Sequence, residues 1–165
     1  MGLIIKDKIP MFMRGYPTVS DKYDVAGGVL TGANAVQFGD PVKFSATKGY
    51  FEKGTGMAAI TDLAGFVVAT NVKLANEWPG QTVETQPGEA FNLLVKGFIA
   101  IELASTAVVA NITANKAVAI VLGTGALTTS GVAGATDIPN CVFTGLYENH
   151  GTAEAPKYFA EILVK

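Results

Sequence analysis

Outside residues 104–122, no stretch of this chain gathers strong helix formers at helical spacing; its apolar residues come in short runs, each stopped by glycine or proline. That pattern leaves little to fold into except β-structure. Residues 36–44 (VQFGDPVKF) set Val36, Phe38 and then Val42, Phe44 at even spacing around Gly39-Asp40-Pro41, a step that predicts a kink or bulge. Residues 66–69 form an uninterrupted apolar run suited to a central strand. After the turn signal Pro87-Gly88-Glu89, residues 91–95 and 98–103 read as strands, with Ile99, Ile101 and Leu103 on one face and Glu102 on the other. Residues 158–164 (YFAEILV) read as a closing strand paired with 141–147 around the polar loop 148–157. The 19 Gly and 7 Pro are turn residues at strand ends. Strands recurring about every ten residues predict an all-β domain, a single compact barrel or sandwich with at most one short helix.

Three stretches need separate treatment. Residues 104–122 are alanine-rich, but Val108, Val109, Val118, Ile120 and Val121 are β-branched, so two strands about a turn at 111–116 are expected. Residues 123–137 read as a flexible loop or loose hairpin, and the one short helix is placed within 71–78. Residues 1–24 hold three of the four methionines and the only arginine without periodicity. They are expected to form an extended N-terminal arm, with residues 25–165 as the β-rich domain.

Composition narrows the function. A chain of 165 residues buries roughly 70% of its unfolded surface and needs neither disulfides nor metal to fold. Apolar residues make up 49% and charged residues only 16%, below the usual quarter. A membrane span does not explain this, because Asn111, Asn115 and Lys116 interrupt the best candidate, residues 104–122. A surface partly covered by neighbours in an assembly does. The net charge of -2 and a lone arginine argue against nucleic-acid binding. The N-terminus lacks the basic and long apolar regions of a signal peptide, and Cys141 alone builds no disulfide framework, so synthesis in a reducing cytoplasm is expected.

Little in the chain promises chemistry. His150 stands in a turn composition without a second histidine to share a metal. Cys141 and His150 could be drawn as a nucleophile pair, yet Cys141 has the setting of a small buried hydrophobe. The glycine-rich pieces 53–56 and 123–125 lack the GK[ST] continuation of a phosphate loop and read as turns. The 14 acidic residues are scattered, without a calcium-loop spacing. No enzyme activity, cofactor or metal is therefore expected. Met11, Phe12, Met13 and Tyr16 cluster in the arm, and Trp78 precedes Pro79-Gly80 in a loop; with Arg14, these are the candidate contact residues of a docking surface. A carbohydrate-binding or adhesin-like accessory module is the alternative, reading glycans with Tyr50, Phe51, Trp78 and Tyr147.

The ordered set VQFGDPV (36–42), GFVVAT (65–70), PGEAFNLLVKGFI (87–99) and a closing AEILV strand resembles the structural cement, or decoration, proteins of tailed bacteriophages. The resemblance runs from about Gly27 to the end. It implies a β-rich, non-enzymatic domain on the outside of an icosahedral head, in the virion. There it binds the major capsid protein at capsomer junctions and self-associates as a dimer or trimer. It implies no catalytic residue and assigns no capsid contact to a particular side chain.

Overall fold

The computed structural model describes residues 14–15, 24–69 and 84–165. Eleven strands follow one another: β1 (Asp24–Leu30), β2 (Val36–Gln37), β3 (Pro41–Phe44), β4 (Tyr50–Lys53), β5 (Leu63–Val68), β6 (Glu84–Thr85), β7 (Ala90–Glu102), β8 (Ala117–Val121), β9 (Ala126–Thr129), β10 (Thr136–Asn149) and β11 (Tyr158–Val164). Nine form one sheet in the order β1-β4-β3-β5-β7-β11-β10-β8-β9, and β1 also pairs with β7. That extra pairing closes β1-β4-β3-β5-β7 into a barrel, antiparallel except for β1 and β4. Closure removes the free edges an open five-stranded sheet would leave.

β7 is the hinge between the two halves of the fold. Residues 90–96 pair with β1 inside the barrel; residues 97–102 pair with β11 and carry the chain into the second half, β7-β11-β10-β8-β9. The two runs expected at 91–95 and 98–103 are thus one long strand. Each half has its own core. Leu30, Val36, Phe38, Val42, Phe51, Val67, Phe91 and Leu93 pack together in the barrel. Phe66, Val68, Leu94, Ile99, Ile101, Leu103, Val118, Ile120, Phe143 and Ile162 belong to a larger cluster shared with the second half. Neighbours in sequence such as Phe66 and Val67, or Leu93 and Leu94, therefore face different cores. This is why these runs are apolar throughout instead of alternating.

The kink expected at Gly39-Asp40-Pro41 is a break: β2 leaves to pair with β6, and β3 begins at Pro41. The closing pair is present as β10 and β11, in register from Cys141↔Val164 to Asn149↔Tyr158 with a bulge between Phe143 and Tyr147. Residues 104–122 differ from expectation. Only Ala117–Val121 is a strand, while the first half passes through a 3-10 turn at Val109–Asn111. Its backbone is engaged by β9 instead: Ala104 N–H donates to Leu127 O at 2.8 Å, and Val108 N–H to Thr129 Oγ1 at 3.0 Å. Of the two valines there, Val109 packs against the larger core and Val108 is exposed, and neither lies in a strand. Residues 123–137 are not a hairpin of their own: Ala126–Thr129 is strand β9, paired back with β8 across the turn at Thr124-Gly125. The helix expected within 71–78 lies outside the described residues.

Candidate functional site

Of the candidate contact residues, Met11, Phe12, Tyr16 and Trp78 lie outside the described residues, and so does Met13. Arg14 is described, and it is engaged within the chain. Its guanidinium donates to the Gln37 side-chain oxygen and pairs with the Asp40 carboxylate in the break between β2 and β3. It also pairs with Glu102 at the end of β7, at 3.1 Å. One planar fork thus ties three segments together, a geometry lysine cannot reproduce. Gly15 completes the anchor: its N–H donates to Ala100 O and its C=O accepts from Ala69 N–H, both at 2.8 Å. Its φ of +73° and the Phe38 Cβ lying 2.3 Å from where a side chain would start leave room only for glycine. Residues 14–15 are therefore seated on the domain.

From Arg14 a polar row runs across the second half. Register places Glu102 beside Phe159, and Phe159 beside Glu148. Lys157 pairs with Glu102 at 3.3 Å and lies 5.6 Å over the Phe159 ring. His150 also stacks on that ring, 4.6 Å between centroids, and meets Glu148 at 2.9 Å. These contacts order the β10–β11 hairpin, which Asn149 Oδ1 also caps by accepting from Gly151 and Lys157 N–H. Two small clefts of about 140 and 160 Å³ flank Asp40 and Pro41, floored by the glycine turns.

The chemistry reading of Cys141 and His150 fails on distance. They sit at opposite ends of the β10–β11 ladder, seven rungs apart from Val164 to Lys157, or about 23 Å. Burial moreover pushes the Cys141 thiol up to about 12. A protonated, enclosed thiol is no nucleophile. A thiol reagent is expected to label Cys141 only on unfolding, with no reaction in the native state below pH 9. The folded form keeps its proton where the unfolded form, with its ordinary value of 9.0, loses it. Stability from this group is therefore complete below pH 9 and declines as pH rises toward 12, measurable as a falling unfolding midpoint. Among the described residues no three His, Cys, Asp or Glu side chains converge as a metal site.

What the surface does offer is apolar. Phe44 and Tyr50, at the end of the β3–β4 hairpin, are 59% and 42% exposed; Leu146 and Tyr147, on β10, are 49% and 41% exposed. Phe44 and Leu146 were not among the sequence candidates. Phe44 alternates in step with buried Val42 and reads as core, but it pairs with Phe51 at the barrel's end, where the interior opens. Of the aromatics suited to a glycan platform, Phe51 turns inward against Phe91, and Tyr50 and Tyr147 belong to different halves of the fold.

No curated protein matches the chain. Among solved structures, a chain from "The capsid of Myoviridae Phage XM1" superposes with a TM-score of 0.64 at 15% identity, covering 97% of this chain and 96% of that one. At that identity the likeness is one of fold. The family model described as structural cement protein (E217 gp24/Pam3 gp6) matches residues 7–158, spanning both halves of the fold and the Arg14–Gly15 anchor. The chain therefore belongs to the phage structural cement protein family, whose role in the capsid is structural.

Proposed function

We propose that this protein binds the outer surface of an icosahedral phage head, bridges neighbouring copies of the major capsid protein at capsomer junctions, and stiffens the shell without catalysing any reaction. The observation that carries the reading is the family match over residues 7–158. The build of the molecule supports it. Two cores share β5 and β7, so the subunit is a stiff body able to transmit load between neighbours. Its exposed apolar residues occur on both halves, as a bridging subunit needs. Several modest contacts on adjacent shell subunits reinforce one another through effective concentration, so no single large interface is required. Association with further copies of itself on the lattice follows from the regular spacing of such sites. The protein is made in the host cytoplasm and ends on the virion exterior.

In this reading Met11, Phe12 and Tyr16 contact the shell, and the Arg14–Gly15 anchor fixes where that segment leaves the domain. The test is co-sedimentation of purified protein with expanded, undecorated heads of the cognate phage, counting copies per shell. Saturation at a fixed ratio to the shell protein is the expected result; absence of binding overturns the proposal. Deletion of residues 2–12, which spares the anchor, is expected to weaken binding about tenfold or more while leaving the unfolding midpoint unchanged. Undiminished binding removes the arm from the interface.

A further inference from the structure

Among the described residues, the backbone register leaves an edge of β10 open at its end. His150 N–H donates to Lys157 O at 2.8 Å, which sets the alternation of the β10–β11 ladder and makes Glu148–Phe159 a hydrogen-bonded rung. Tyr147 opposite Ala160 and Asn149 opposite Tyr158 are the intervening rungs, so their N–H and C=O groups point away from β11. The next strand obeys the same alternation: Leu103 N–H donates to Tyr158 O at 2.9 Å, so Tyr158 turns toward β7 and not toward β10.

On its other side β10 has β8 as a neighbour, but only as far as Ala117↔Val142 and the bonds of Phe143 to Lys116 and Asn115. Beyond Phe143, no strand among the described residues pairs with that side. The bulge at 144–146 confines the open edge to the end of the strand, where exposed Leu146 and Tyr147 stand beside it. Open edges are an association hazard that proteins blunt with lysine, proline or a covering loop. Here the bulge shortens the edge, and residues 146–149 carry a Leu-Tyr pair, neither lysine nor proline, and one charge, Glu148, which meets His150.

We propose that residues 146–149 form a strand-addition site that takes an extended main-chain segment of the shell subunit, which rests on the capsid-binding reading above. The chemistry of the edge selects its occupant. Outward amides and carbonyls at 147 and 149 are complemented by another extended backbone, and not by a helix, whose own amides and carbonyls are already used. With two donors and two acceptors over three residues, the incoming segment is short, about three to five residues. Leu146 and Tyr147 provide the apolar contact that holds it in register.

Hydrogen exchange at the Tyr147 and Asn149 amides, in free protein and in protein bound to undecorated heads, tests this directly. Both amides are expected to slow at least about tenfold on binding. Tyr147→Pro removes one outward N–H without touching the β11 ladder and is expected to weaken binding about tenfold, whereas Tyr147→Thr, which keeps the N–H, weakens it less. Should Tyr147→Pro fail to fold, exchange on the unaltered protein decides alone. Binding with unchanged exchange overturns the edge proposal and leaves the capsid role standing. Absence of binding overturns both. Protection that appears without heads and grows with protein concentration assigns the edge to a second copy of the chain and overturns the shell segment as its occupant.

Discussion

Gly125→Ala is expected to lower the midpoint of thermal unfolding by about 10 °C, corresponding to about 3 kcal/mol or more in a chain of this size. Gly125 has a φ of +73°, and a Cβ there would lie 2.2 Å from Gly54 O and 2.9 Å from Gly54 C. Both obstacles are backbone, and neither main chain is free to withdraw. Gly54 N–H donates to Pro41 O at 2.9 Å, while Gly56 and Met57 N–H donate to Gly123 and Leu122 O, each at 3.0 Å. This contact clamps the barrel to the β8–β9 hairpin. Gly131→Ala is the control, because Gly131 has a φ of +85° with nothing within 4 Å of its would-be Cβ. It should lose only the conformational term, about 1 kcal/mol. Differential melting of the two variants separates backbone approach from left-handed geometry; equal losses would mean that the two turns part easily.

That contact also shows what could and could not be read from the chain. The pieces 53–56 and 123–125 were recognisable as turns and not as phosphate loops, because the residue types that follow are wrong for a phosphate cradle. That the two turns press against each other was not recognisable, since nothing local in either encodes a partner some seventy residues away. Strand existence was legible wherever one rule sufficed: alternation in β3, a fully apolar run in β5, a closing strand in β11. It failed at residues 104–111, where Val109 packs on the core from a 3-10 turn, Val108 is exposed, and β-branching alone misleads. The break at Gly39-Asp40-Pro41 was visible, but its purpose was not. It presents Asp40 to Arg14 and so fastens the N-terminal segment.

The surface was less legible than the fold. Arg14 drew notice as the sole arginine and as a contact residue; the structure gives it three partners within the chain, which singularity in sequence cannot reveal. Phe44 and Leu146 escaped notice because exposure at the mouth of a barrel, or beyond a bulge, is a property of closure and register. The open edge of β10 depends on which rungs are hydrogen-bonded, and no sequence pattern carries that parity.

Because β7 lines both cores, the two halves should stand or fall together, and adjacent leucines provide the test. Leu93 packs in the barrel cluster and Leu94 in the larger one, with 2% and 0% exposure. Leu93→Ala and Leu94→Ala are each expected to cost about 2–5 kcal/mol, from lost transfer energy and the cavity left behind. For a chain of this length that is about 5–15 °C in the unfolding midpoint. The informative part is the shape of the transition. A cavity on either side of β7 loosens a strand that pairs with β1 and β5 in one half and β11 in the other. Both variants should therefore keep one transition with equal calorimetric and van't Hoff enthalpies. Two transitions in Leu93→Ala, the barrel melting first, would mean that the halves are separate units. A cement subunit whose barrel could open alone would make a compliant bridge, so this measurement bears on the proposed stiffening role as well as on the fold.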